Sequence, residues 1–315
     1  MNDHSFEAER VPWIDPDVHS LERAIAFAIA YADVYDYPLK PAEITRYLVG
    51  VEASRAEVDA ALRSLSAPEG PLACKDGYVT LTGRESLVAL RQRRADIAAE
   101  MWPRALRYGR EIARIPFVRM VAVTGALTMG NVESDDDIDY FMITEPGRLW
   151  LSRFFIIQMV VKPAAREGDE VCPNYLVSTR AMTLFTHDLY HAHELAQMVP
   201  LHGWGVYRRF REANRWVARF LPNATDPPDI KGVTSQHSET APDRRRLPER
   251  VLRTPPGGWL DRREMKRMRE KLAAENGHGE VEVSPDRCKG HIGAHGHRAF
   301  EAFVTRSRQV VRDYR

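Results

Sequence analysis

The sequence predicts a fold of the α/β (α+β) class, in which a mixed sheet with helices follows a smaller N-terminal module and precedes a helical C-terminal region. Two observations carry this prediction. An apolar run, a glycine turn and a second apolar run within 118–144 indicate neighbouring strands, and long stretches with apolar residues at helical spacing flank them. At 315 residues the chain is long enough for two or three modules.

The N-terminal module follows a polar tail at 1–19. Ser20 and Pro41 mark the starts of two helices, and SRAEVDAALRSLS gives a third with one apolar face. PLACKDGYVTLTG then indicates two short strands around a turn. Three helices followed by a hairpin, over 20–94, resemble a winged-helix domain.

Such a domain raises the possibility of DNA binding through its third helix. That helix offers Arg55 and Arg63, but Glu57 and Asp59 cancel their charge. A helix that reads DNA normally presents a basic outer face to the phosphates. We therefore favour a structural or protein-docking role for this module and keep DNA binding as the alternative.

The rest of the chain divides by composition. A main domain with a helical extension is predicted over 95–221; its apolar run at 149–161 indicates a buried helix, and EVCPNYLVS indicates a strand with an edge or bulge at its proline. Residues 222–256 are rich in proline and charge and indicate a flexible linker. A helical C-terminal region is expected over 257–315.

Composition limits partners and compartment. The chain has 45 basic and 44 acidic residues, so no overall field draws it to nucleic acid or lipid. Its three cysteines are far apart, which argues against a disulfide framework and favours a reducing compartment. The N terminus lacks the features of a signal peptide, and the most apolar run is too short to span a bilayer. We expect a cytoplasmic protein that does not associate with membranes.

An unusual group of acids lies at the start of the second strand, within VTGALTMGNVESDDDIDYFMIT. Side chains two apart in a strand point to the same face, so Asp137 and Asp139 point together. Like charges this close are costly unless a cation joins them. Paired carboxylates are the oxygen ligands that Mg²⁺ prefers, which predicts a metal site, with Mn²⁺ as the alternative ion.

Two other binding motifs are excluded because the sequence lacks residues that they require. The GxxxxG spacing of Gly125 and Gly130 matches a P-loop, but Asn131 and Val132 replace its lysine and hydroxyl residue. An EF-hand beginning at Asp135 lacks its glycine and its final glutamate.

An apolar strand, Gly125-Ala126, and then Asp137-Ile138-Asp139 on the next strand resemble the signature of the nucleotidyltransferase superfamily (the polymerase-beta-like or minimal nucleotidyltransferase fold). The resemblance covers about 117–145. It implies that Asp137 and Asp139 bind Mg²⁺ and take part in catalysis, and that the glycine turn contacts a nucleoside triphosphate.

The resemblance also implies site residues beyond this pair. Ala126 stands where serine or glycine is usual, so Thr124 or Thr128 is expected to supply the missing hydroxyl, and Ser134 is a further candidate for nucleotide binding. Glu170, just before the next strand, is the candidate third catalytic carboxylate.

Two segments outside this motif are secondary candidates. In DRCKGHIGAHGHR, Lys289 and His291 are candidates for contacting an anionic substrate; a zinc site including Cys288 and a plain polar turn are the alternatives. In HDLYHAHEL, His191 and Glu194 are expected to be helix-surface or capping residues, with a role near the acceptor as the alternative.

The predicted function is Mg²⁺-dependent transfer of a nucleoside monophosphate from an NTP to an acceptor, with release of pyrophosphate. The acceptor class stays open between a small molecule, RNA and a protein. The first alternative is a non-catalytic nucleotide-sensing regulator whose winged-helix-like module binds DNA or a protein. The second is a toxin-like nucleotidyltransferase that modifies tRNA or a protein.

Overall fold

The computed structural model of the chain describes residues 20–67, 70–230, 246–274, 282–289 and 301–307. These residues divide into two compact units. The first contains the described residues up to Leu90, Trp216–Thr225 and a helix at 301–307, and the second contains Arg91–Arg215 and the described part of Asp226–Arg298. None of the helices in these ranges combines the length and the apolar character needed to cross a membrane.

The first unit has the order of elements predicted for 20–94. In chain order these are α1 (Leu21–Asp33), α2 (Pro41–Arg46), α3 (Arg55–Leu65), β1 (Leu72–Lys75) and β2 (Tyr78–Leu81). Ser54 and Glu57 cap α3 reciprocally, each accepting a hydrogen bond from the other's backbone N–H. Leu39 forms a single antiparallel bridge to Val79, which ties the segment before α2 to the hairpin.

Three of the four charged side chains of α3 are engaged within the helix or its N-cap. The Nε atom of Arg55 lies 2.8 Å from Oδ1 of Asp59, and Glu57 is used in the cap. This arrangement leaves little positive charge on α3 for binding the phosphate backbone of DNA. It agrees with the balance of acidic and basic residues in the sequence of this helix.

Segments far along the chain complete the first unit. Phe303, on the helix at 301–307, packs edge-on against Phe27 and against Tyr31 of α1, and Arg306 forms an ion pair with Asp33. The predicted C-terminal region at 257–315 is therefore divided between the two units, because the apolar face of α1 is covered partly by residues near the end of the chain.

The second unit is built on a mixed sheet, which confirms the predicted α/β (α+β) class. Among the described residues the strand order is β6-β3-β4-β5-β8-β7. The strands are β3 (Val118–Val123), β4 (Ile138–Thr144), β5 (Val171–Ser178), β6 (Val199–His202), β7 (Glu282–Val283) and β8 (Arg287–Lys289). Only the pair formed by β4 and β5 is parallel within this described sheet.

Helices cover this sheet and connect its strands. They are α4 (Leu87–Arg114, in this unit from Arg91), α5 (Ala126–Met129), α6 (Leu149–Ile156), α7 (Lys162–Glu167), α8 (Leu189–Gln197), α9 (Trp204–Ala213), α10 (Arg246–Leu252) and α11 (Pro255–Ala274). The crossover from β4 to β5 is α6, a π-helical turn at Ile157–Val161, and α7. The apolar run at 149–161 predicts a buried helix; Trp150 is fully buried, whereas Phe154 and Met159 of the same run are exposed.

Two described segments differ from the predicted linker and C-terminal region. Helix α10 lies inside the predicted linker at 222–256, because Glu249 accepts hydrogen bonds from the backbone N–H of Phe117 (2.7 Å) and from Arg119 (2.8 Å). Strands β7 and β8, inside a region predicted to be helical, extend the sheet beside β5. Both differences come from long-range contacts that local composition does not encode.

Because His193 on α8 is buried, we expect the stability of the fold to depend on pH. Burial lowers the pKa of His193 to about 3, whereas in the unfolded chain it titrates near 6.5. The unfolded chain thus binds the additional proton as pH falls below 6.5, and folding stability decreases. Between pH 7 and pH 5 we expect a loss of about 2 kcal/mol from this group.

Denaturant unfolding of wild type and His193→Met at both pH values measures this effect. The variant removes the titrating group and keeps an apolar side chain of similar length. Between pH 7 and pH 5, the free energy of unfolding of the variant should decrease by about 2 kcal/mol less than that of wild type. Equal pH dependence in the two proteins would show that His193 titrates normally in the folded state.

Candidate functional site

The candidate site lies where β3 ends and β4 begins. The two strands are antiparallel, and the backbone N–H of Thr124 donates to the carbonyl of Asp139 at 3.0 Å. The chain then turns at Gly125 into α5 and returns through an acidic loop to Asp137. The predicted strand–turn–strand arrangement is therefore present, with the aspartates directly beside the glycine turn.

Gly125 occupies a position that tolerates no side chain. Its φ of +71° lies in the region that favours glycine, and a Cβ atom built there would stand 2.6 Å from Oδ2 of Asp139. The backbone of the turn thus packs against this carboxylate.

Asp137 and Asp139 lie together with Cys172 of β5. One ligand atom from each residue lies within 4.8 Å of the other two. Ile138 and Tyr140 are buried on the opposite side of β4, as the alternation along a strand requires. Cys172 joins the pair because parallel pairing of β4 with β5 puts it directly beside Asp139.

An irregularity in β5 follows this position. Asp139 pairs with Cys172, but two residues later Phe141 pairs with Tyr175, so β5 contains one extra residue there. The extra residue lies next to Pro173, which has no backbone N–H to donate to a neighbouring strand. This irregularity agrees with the bulge predicted at that proline. Asn174, within the bulge, hydrogen-bonds to Asp139 and favours its charged form.

The electrostatics of the group resemble those of a cation site without its cation. Burial, and next the charge of Asp137, raise the pKa of Asp139 to about 7. Burial and both carboxylates raise the pKa of the Cys172 thiol. Oδ1 of Asp139 is buried and accepts no hydrogen bond from the described residues. A divalent cation would relieve each of these costs.

Helix α8 carries a further carboxylate whose charge acts on this group. The charge of Glu194 is among the causes that raise the pKa of Asp139. Burial raises the pKa of Glu194 itself, and the charge of Lys289 and, when it is protonated, that of His191 partly oppose that shift. Charged groups on α8 and β8 therefore act electrostatically on Glu194.

His191 and Lys289 belong to the same surroundings. Nδ1 of His191 lies 2.8 Å from Oδ1 of Asp188, the residue that caps α8. Lys289 pairs with Tyr175 across β8 and β5, and its charge acts on both Asp188 and Glu194. His191 thus has the capping contact expected from the sequence and also lies near the acids.

The residues predicted to bind nucleotide surround the turn. Ala126 is exposed as the first residue of α5, and Ser134 is exposed in the loop before β4. Thr124 and Thr128 are buried, and the hydroxyl of Thr128 donates to the Gly125 carbonyl at 2.7 Å. The two threonine hydroxyls therefore face the protein interior, whereas Ala126 and Ser134 face solvent.

Two further predicted residues lie outside the Asp137–Asp139–Cys172 group. Glu170 has an exposed side chain, and its carbonyl accepts the Ile138 N–H at 2.8 Å. His291 lies outside the described residues. The sequence does not single out Cys172, and it gives a role near the acceptor for Glu194 only as an alternative. Cys172 could have been identified from its position as the second residue of β5, the strand that follows β4.

Ion pairs from α4 hold the two loops that lead into the site. Arg94 donates to Glu133 at 2.8 Å in the loop before β4. Arg104 forms an ion pair with Asp169, which also accepts a 2.6 Å hydrogen bond from the Tyr108 hydroxyl, in the loop before β5. These guanidinium groups are engaged within the chain and fix the starts of the strands that carry Asp139 and Cys172.

Comparison of the chain with known protein families, with curated proteins and with solved structures found no match.

Proposed function

We propose that the protein is a divalent-metal-dependent nucleotidyltransferase, which transfers a nucleoside monophosphate from an NTP to an acceptor oxygen and releases pyrophosphate. The observation that carries the proposal is the Asp137–Asp139 pair with the Gly125 turn packed against it. A metal held there would lie beside a backbone turn that a triphosphate can approach.

Asp137 and Asp139 fit a divalent cation such as Mg²⁺ or Mn²⁺. Both supply oxygen ligands, the pKa of Asp139 is raised, and its Oδ1 atom is buried without a hydrogen-bond partner among the described residues. When bound, the ion would neutralise charge on the phosphates and on the leaving pyrophosphate.

Residues around the pair would position the nucleotide. Gly125 leaves room for the Asp139 carboxylate because it has no side chain, so a phosphate bound to a metal at that carboxylate would lie beside the turn. Ser134 is exposed in the loop that leads to Asp137, and its hydroxyl can donate a hydrogen bond to a phosphate oxygen.

Glu194 is the residue we assign to take the acceptor's proton. In the reaction the acceptor oxygen bonds to the α-phosphorus, the bond from that phosphorus to the bridging oxygen breaks, and pyrophosphate leaves. A carboxylate whose pKa is raised by burial and whose charge acts on Asp139 suits the accompanying proton transfer. Lys289 and His191, near Glu194, would face the acceptor.

A second candidate function is a non-catalytic nucleotide-binding regulator. The observation that favours it is that Cys172 and Asn174, rather than an acid, occupy the β5 positions beside Asp139. The two basic side chains of α3 are balanced by two acidic ones, and Arg55 is paired with Asp59, so its partner in this case would be a protein rather than DNA.

Titration calorimetry with each of the four NTPs, with and without Mg²⁺, tests both functions. We expect at least one NTP to bind only when Mg²⁺ is present. Pyrophosphate release from that NTP, measured in the presence of candidate acceptors, would separate a transferase from a sensor. Absence of NTP binding under all conditions would exclude both.

A further inference from the structure

The third potential ligand of the acidic site is a sulfur atom. Sγ of Cys172 lies within 4.8 Å of carboxylate oxygens of both Asp137 and Asp139. Mg²⁺ takes oxygen ligands almost entirely, whereas thiolates select softer ions such as Zn²⁺. Two of the three ligands therefore fit Mg²⁺, and the third does not.

The backbone fixes this sulfur beside the carboxylates. Cys172 is in register with Asp139, and the hydrogen bond from the Ile138 N–H to the Glu170 carbonyl (2.8 Å) sets that register at the start of both strands. The bulge at Pro173 begins only after this pairing. The thiol is thus held by the sheet.

The thiol lies where an ion bound to both carboxylates would meet it. Its Sγ atom and one oxygen from each of Asp137 and Asp139 lie within 4.8 Å of one another. A soft divalent ion replaces the proton of such a thiol, because coordination deprotonates a thiol outright. The ion would then satisfy the sulfur and the carboxylates together.

We propose that Asp137, Asp139 and Cys172 form a site for a thiophilic divalent ion of the Zn²⁺ and Co²⁺ class, and that this site prefers such an ion to Mg²⁺. On binding, a metal–sulfur bond forms, the S–H bond breaks, and the proton passes to the buffer without any change of oxidation state. This site rests on the proposed function, because both require Asp137 and Asp139 to be metal ligands. What it adds is the ion that these ligands prefer.

Co²⁺ added to the full-length protein is the probe, because thiolate ligation gives an intense charge-transfer absorption band that carboxylate ligation does not. We expect this band to saturate near one equivalent in wild type and to persist in an excess of Mg²⁺. It should be absent in Cys172→Ser, with a fall in Co²⁺ affinity of at least about 10-fold.

Cys74→Ser is the matched control, since Cys74 is an exposed thiol whose Sγ lies 3.3 Å from the Ser66 hydroxyl, far from the acids in sequence. It should keep the band. Cys172→Asp supplies a third carboxylate in place of the sulfur; it should lose the band and bind Mg²⁺ more tightly than wild type. This gain of affinity separates loss of the ligand from loss of folding.

The outcomes distinguish this inference from the proposed function. A wild-type protein without a thiolate band, retention of the band in Cys172→Ser, or displacement of Co²⁺ by an equal concentration of Mg²⁺ would overturn the inference. Mg²⁺-dependent NTP binding, measured separately by calorimetry, would still stand in each of those cases. Loss of NTP binding from the wild type under all metals would instead overturn the proposed function.

Discussion

Replacing Asp137 and Asp139 together by asparagine is expected to abolish Mg²⁺-dependent NTP binding and, in the same protein, to stabilise the metal-free fold at pH 8. The binding loss follows because the variant keeps the shape of both side chains but removes the charges that hold the ion. We expect a fall in affinity of roughly 100-fold or more, which corresponds to about 2.7 kcal/mol.

The gain in stability follows from the raised pKa of Asp139. Its folded-state pKa of about 7 exceeds the ordinary value of 3.8, so the folded chain holds a proton that the unfolded chain has lost between these pH values. Stability therefore decreases as pH rises from about 4 to 7, and the full cost is present at pH 8. Asparagine cannot ionise, so the variant should gain on the order of 4 kcal/mol there.

Calorimetric NTP titration and denaturant unfolding in a chelator, both at pH 8, measure the two effects. Asp135→Asn/Asp136→Asn is the matched control, because it removes the same formal charge from the neighbouring loop. Asparagine at 136 can still accept the hydrogen bond from the Glu133 N–H, which is 2.9 Å long. The control should bind like wild type; if both double variants lose binding equally, general negative charge rather than this pair is responsible.

Substituting Gly125 by alanine is the second change with a large expected effect. The new Cβ atom would stand 2.6 Å from Oδ2 of Asp139, and the φ of +71° is unfavourable for alanine. The carboxylate or the turn must move. We expect a stability loss of about 1–3 kcal/mol and a fall in Mg²⁺-dependent NTP affinity of at least about tenfold.

Gly147→Ala separates the two causes. Gly147 has a similar φ of +69°, but a Cβ atom there meets nothing within 4 Å. It should cost about 1 kcal/mol of stability through its backbone alone and leave NTP binding unchanged. Thermal unfolding and NTP titration of both variants test this. Equal behaviour of the two would mean that the contact between Gly125 and Asp139 has no role in the site.

Several elements could be predicted from short stretches of sequence. The helices and hairpin of the first unit are marked by local caps, apolar spacing and a turn, and α6 by its apolar run. The sequence does not predict the short strands β6, β7 and β8, because two to four residues are too few to show the alternation of apolar and polar residues typical of a strand. Helix α10 was missed because its proline and charge composition indicates a linker, whereas Glu249 anchors it to Phe117 and Arg119.

Local sequence is enough to predict that Asp137 and Asp139 share a face next to a glycine turn, because alternation along a strand and the freedom of glycine are local properties. The residues that join them depend on the folding of the whole sheet. Cys172 and Glu194 come from a parallel strand and a later helix, and their places depend on strand register and on how the crossover packs. Register between distant strands is set by the buried faces of the whole sheet, which no single stretch of sequence specifies.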